Sequence, residues 1–246
     1  MKRIWIVAAL LALPRLAVAA DDAVKAGAEA LIPAEQRLEK VLRFDPSLAP
    51  ITIVTAKDLA REPKLPADEP KYRKFYEEAG VYMAYPLDVK LKADDQDYLV
   101  VRCDSGGSDD PECVFSASQD PEKEGVAVAG TVFAIPGDGC VYSGGHTDNM
   151  FGARALACRS GGQLKPVAQP FSYAGFRSKA LKALTLHADK NDAVAVTTIP
   201  AGGFVEVVLQ DGDYFLLRDR FGLTGWSKLE QQQQPTEIEG FYYNGD

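Results

Sequence analysis

"FVEVVLQDGDYFLLRDR", residues 204–220, holds two apolar runs on either side of an Asp-Gly pair. Val205, Val207 and Leu209 fall on one side of an extended chain, because side chains two apart share a face in a strand. Asp211-Gly212 marks a tight hairpin into Tyr214-Phe215-Leu216-Leu217. The same texture spreads outward. "LTLH" (184–187) and "AVAVTTI" (193–199) read as strands, Pro200-Ala201-Gly202-Gly203 turns into Phe204, and Gly222 and Gly225 frame a last strand, "WSKL" (226–229). Five short strands within about fifty residues predict a small, strongly curved barrel over 177–231, with glycines at its corners.

The order "LTLHAD…IPAGGFVEVVLQDGDYFLLRDRFGLTGW" resembles the bacterial Src-homology-3-like domain: a leucine-rich first strand, a Pro-x-Gly turn, a strand before the Asp-Gly hairpin and a closing Gly-Trp. The resemblance spans Leu181 to Glu230. Tyr214-Phe215 stand where a tryptophan is common in that domain, and Ser227 stands where valine is common. The resemblance implies a five-stranded SH3-like barrel that binds or targets. It implies cell-wall peptides or other envelope proteins as partners, and no chemistry of its own. Tyr214, Phe221 and Trp226 are the aromatic residues such a barrel would present to a ligand, since a large ring buries much area at little rotamer cost. Trp226 has a second reading, favoured by its place between two glycine corners: the plug of the barrel core. Residues 130–176 are similar to segments of uncharacterised exported bacterial proteins, which implies no activity.

The chain begins with Met1, Lys2 and Arg3, runs apolar from Ile4 to Leu13, and reaches Ala17-Val18-Ala19-Ala20 before Asp21. That is the layout of a cleaved export signal over 1–20. It predicts a periplasmic or secreted protein, with no later segment apolar enough to span a membrane. Removing it takes away Lys2, Arg3 and Arg15 and no acid, so the 27 basic and 35 acidic residues become 24 and 35, a net charge near -11. Such a surface repels phosphate backbones, which excludes nucleic acid as the expected partner.

Four cysteines in an exported chain predict two disulfides. Cys103 with Cys113 and Cys140 with Cys158 are the preferred pairs, because each closes a short loop within a β-region. Residues 21–44 carry apolar side chains at helical spacing (Val24, Ala28, Leu31, Leu38, Val41), with Pro33 starting a second helix and "TAKDLARE" (55–62) a further one. From residue 98 on, short apolar or alternating runs separated by turn residues indicate antiparallel strands. The expected fold class is therefore α+β: a disulfide-stabilised domain over 21–176 with helices and then antiparallel strands, the barrel over 177–231, and a polar tail over 232–246.

Catalytic signatures are scarce. There is no G-x-S-x-G, S-x-x-K, H-E-x-x-H or phosphate-binding glycine loop, and disulfide pairing would consume every thiol. His146 in "GGHTDNM" lies beside Asp148, but a polar turn explains the same residues, and His187 reads as the solvent-facing end of a strand. Asp104, Asp109, Asp110 and Glu112 crowd one loop without the spacing of a calcium loop. The expectation is a non-enzymatic binding protein with no cofactor and no metal, recognising a cell-envelope peptide, glycan or protein. The alternatives are a cell-wall hydrolase targeted by the module and a periplasmic inhibitor or immunity protein. The oligomeric state is not readable.

Overall fold

The computed structural model describes residues 15–65, 74–76, 81–106, 109–117, 125–191 and 193–245. Most of the expected export signal, residues 1–14, lies outside them, as does the stretch holding Pro66 and Pro70. Among the described residues strands take 52% and helix 8%.

The first sheet is ordered β1 (Arg37–Leu42), β2 (Ile51–Ala56), β9 (Val132–Ile135), β10 (Cys140–Gly145), β11 (Ala153–Ser160), β12 (Gln163–Pro166). Its β2 and β9 run parallel. Between those two in sequence lies the whole second sheet: β3 (Ala60–Arg61), β5 (Val81–Val89), β6 (Leu99–Gly106), β7 (Asp109–Ser116) and β8 (Val126–Ala129), with β4 (Lys74–Tyr76) also on β5. The two sheets pack face to face. Ile51, Ile53, Phe133, Ile135 and Val141 from the first and Leu87, Val89, Val101 and Phe115 from the second form one dry core. Alternation along β2 and β9 explains this: Ile53 and Phe133 point to the second sheet, while Val54 points the other way and joins Ile32, Ala56 and Leu59 in a smaller cluster.

The outer face of the first sheet carries helix α1 (Arg15–Ala30). Close approach is possible because β10 has no side chain at Gly144, where an added Cβ would lie 2.4 Å from Val24 Cγ1. Arg37 holds the helix end, its Nη2 donating to the carbonyls of Glu29 (2.6 Å) and Ile32 (3.0 Å). Lys25 donates to Glu39 at 2.7 Å. An apolar cleft of about 210 Å³ remains between α1 and β9 to β11.

The third sheet is ordered β13 (Ser172–Lys179), β16 (Phe204–Asp211), β17 (Tyr214–Arg218), β18 (Thr224–Lys228), β14 (Leu184–His187), β15 (Ala195–Ile199). Leu184, Leu186, Ile199, Val205, Val207, Phe215 and Leu217 bury its inner face. Met150 and Phe151, from the loop after β10, and Ile238 and Phe241, from the segment expected as a polar tail, complete that core. Phe241 stands edge-on to Phe215 at 5.5 Å between ring centres, with Phe176 at 5.2 Å and Phe151 at 6.2 Å.

Two expectations are thus corrected. The α+β domain with several helices is instead mostly β, with one α-helix among the described residues. After Pro33 the chain makes only a 3-10 turn, Ala34–Gln36, and Arg37–Leu42 pairs along its full length with Ile51–Ala56. Leu38 and Leu42 satisfy a period of two as well as a helical one, and pairing with a β-branched neighbour strand decides between them. Residues 57–59 likewise form a single 3-10 turn before β3. The second correction concerns the barrel: no sheet closes, and β13 and β15 remain the two ends of an open six-stranded sheet. The added strand β13 crosses the expected domain boundary at 176/177.

Both disulfides join cross-strand partners, Cys103 with Cys113 between β6 and β7 and Cys140 with Cys158 between β10 and β11. Beside the second, Asp138 accepts the Cys140 N–H at 3.0 Å and the Tyr142 hydroxyl at 2.7 Å. That hydrogen bond, helped by burial and the nearby carboxylate charge, holds the Tyr142 phenol above its ordinary 10.0. Because the folded value is the higher one, the stabilisation is whole below the unfolded value and fades as pH rises through the folded one. Ring resonances of Tyr142 should titrate above those of the exposed tyrosines, and Asp138→Asn should bring them down; an unchanged midpoint in that variant would exclude this carboxylate as the cause.

Candidate functional site

The outer face of the third sheet gathers the candidate binding residues. Along β17 the alternation that buries Phe215 and Leu217 turns Tyr214 outward, and along β18 it buries Gly225 and leaves Trp226 half-exposed. Trp226 is paired across the ladder with Leu216 on one side and His187 on the other. The approach of β18 to β14 requires glycine at 225, since an added Cβ would lie 2.8 Å from the His187 carbonyl oxygen and 2.8 Å from Leu186 Cβ. Gly225 therefore lets β18 lie against β14, which sets Trp226 opposite His187.

Trp226 and Tyr214 line one open depression of about 340 Å³ with His187, Lys190, Lys228 and Glu237. Lys190 Nζ lies over the indole, 4.6 Å from its ring centre, and pairs with Asp211. Lys228 Nζ lies 3.0 Å from Asp213 Oδ2, and Lys182 Nζ 3.0 Å from Glu237 Oε1. Each bond to its carboxylate raises the ammonium above 10.5, so both lysines remain charged at neutral pH. His187 Nδ1 is shielded and has no hydrogen-bond partner among the described residues. The site is an aromatic floor with a rim of paired charges. It offers stacking and hydrogen bonding to a ligand that brings its own polar groups.

The three aromatic residues expected to act together are divided. Phe221 lines a different depression, with Thr197 to Phe204, Asp219 and Arg220. The plug role considered for Trp226 falls to Phe241, which is 2% exposed. Lys190, Lys228 and Glu237 escaped sequence reasoning because they arrive from three separate segments, and only the pairing of β14 with β18 brings His187 opposite Trp226.

The other histidine is structural. His146 is buried, its Nε2 is 2.9 Å from the Tyr242 carbonyl oxygen, and its ring leans on Tyr242 at 5.0 Å. Its neighbour Asp148 accepts the Tyr243 hydroxyl at 3.1 Å. Asn244 Nδ2 donates to the His146 carbonyl, and Asn149 and Asn244 form a β-bridge. The turn thus latches the C-terminal segment onto the first sheet. Asp104 stands across the ladder from Glu112 and pairs with Arg102 at 3.5 Å. Among the described residues no group of three or more His, Cys, Asp or Glu is placed to hold a metal ion, and no helix is long and apolar enough to cross a membrane.

Fold and site together define a disulfide-stapled, three-sheet β-protein with an aromatic and lysine surface depression. The two bridges are compatible with an extracellular or periplasmic compartment. Comparison with protein-family models, curated proteins and solved structures finds no match.

Proposed function

We propose that the chain is an exported, non-enzymatic binding protein that recognises a cell-envelope peptide, glycan or protein through the depression shared by Tyr214 and Trp226. The observation that carries this reading is that sharing: two large aromatic side chains, neither needed by the core, line one open concavity. Binding surfaces concentrate such residues because the ring buries a large area and has few rotamers to lose. The export signal read in residues 1–20, the disulfides and the likeness of 181–230 to the bacterial SH3-like domain support the same reading.

Retention on purified wall fragments, and on immobilised envelope proteins in parallel, tests it. The wild-type chain should be retained on one of them. Trp226→Ala should weaken retention by about tenfold or more, the usual cost of losing a central aromatic anchor. Retention unchanged in Trp226→Ala and Tyr214→Ala, or absent for the wild type on both supports, would reject the reading.

A further inference from the structure

Phe221 is 92% exposed, the most exposed of the large apolar side chains among the described residues. Its loop is stiff. Asp219 Oδ1 accepts the backbone N–H of both Phe221 and Leu223 at 2.9 Å, its N–H donates to the Leu223 carbonyl, and its carbonyl accepts from Gly222. Such a side-chain turn fixes the backbone from which the ring projects into water. Beside it lies a depression of about 490 Å³, floored by the turn from Thr197 to Phe204. An aromatic knob and a concavity able to take one therefore sit together on one face.

The ground around them is unusual in this acidic chain. From Ala193 to Phe204 no side chain is charged, and Val194 (62% exposed) and Val196 (41%) face solvent. Strand β15 within that run is a free sheet edge. Sheet edges are commonly guarded by charge, proline or brevity. The other sheet ends follow that rule: β1 holds Arg37, Glu39 and Lys40, β12 Lys165 and Pro166, β13 Arg177 and Lys179, while β3 has two residues and β8 four. β15 has only the bulge opposite Leu186 and His187.

We propose that this face is the contact between two copies of the chain, the Phe221 of each seated in the depression of the other about a twofold axis. A knob beside its own hole is self-complementary under that operation, so the contact closes at a dimer. Charge selects the same occupant. Two copies of a chain with net charge -8 repel over most of their surfaces, but here the depression is lined by one acid and one base, Asp219 and Arg220, and the flanking run is neutral. This surface is distinct from the Tyr214 and Trp226 depression and does not depend on the reading given to that site.

Sedimentation velocity of the full chain, over a concentration series reaching hundreds of micromolar, tests it. The wild type should pass from monomer to dimer and form nothing larger. Phe221→Asp and Val196→Lys should each raise the dimer dissociation constant by about tenfold or more, in line with loss of a buried interface anchor. Both positions are exposed, so neither variant should lower the thermal midpoint, and Trp226→Ala should associate as the wild type does. A wild type that stays monomeric throughout, a Phe221→Asp variant that still dimerises as strongly, or a dimer lost on Trp226→Ala would overturn the proposal.

Discussion

Phe241→Ala should destabilise the chain by about 3–5 kcal/mol, the range for removing a large aromatic from a packed core. The ring touches Phe151, Phe176 and Phe215, which come from the loop after β10, from β13 and from β17. Its loss opens a cavity where three segments meet. Removal of residues 236–246 should cost still more, since it also withdraws Ile238, the Asn244 bridge to Asn149 and the carbonyl facing His146. Urea unfolding followed by circular dichroism checks both. A loss below about 1 kcal/mol for Phe241→Ala would mean that the core of the third sheet is completed by something else.

Replacing either cysteine pair with alanine should cost about 3 kcal/mol in the loop-entropy picture, because the bridges close loops of 10 and 18 residues. The two should differ in addition. Cys103 and Cys113 are fully buried between the first two sheets, so their replacement also leaves voids beside Val101 and Phe115, whereas Cys140 and Cys158 are only half-buried. Cys103→Ala with Cys113→Ala should therefore be the more damaging double variant. Under mild reductant and alkylation, Cys140 and Cys158 should label first by mass spectrometry. Equal labelling rates, or the reverse order, would show that burial does not protect the inner bridge.

Much of the β-architecture was legible in the chain. Every alternating or apolar run noted between residues 98 and 229 contributes a strand, because period-two patterning and glycine or Asp-Gly turns are local signals. The cysteine pairs were legible for the same reason, each closing within or beside a hairpin. What failed depended on distant partners. Residues 37–42 fit both periods, and only the β-branched strand at 51–56 decides between them. Curvature into a closed barrel is not written in any strand; it depends on whether the two ends meet, and here β13 adds to one end while β15, paired with β14 alone, stays the other. The role of Phe241 was hidden because its neighbourhood, "EIEGFYYNGD", reads as polar, although two of its apolar residues fill the third core. At the site, Tyr214 was legible as an outward candidate, whereas the glycine corners favoured a core role for Trp226, which the ladder leaves half-exposed; the separation of both from Phe221 follows from loop geometry alone.

The chain contains two tryptophans, Trp5 within the expected export signal and Trp226 in the depression. With Trp5 absent after cleavage or replaced by phenylalanine, the emission spectrum reports on Trp226 alone. Titration with soluble wall fragments, and separately with fractionated envelope proteins, should shift that emission to shorter wavelength and saturate as a ligand covers the half-exposed indole. Emission that stays constant while the same ligand binds by an independent measure would place recognition elsewhere on the molecule.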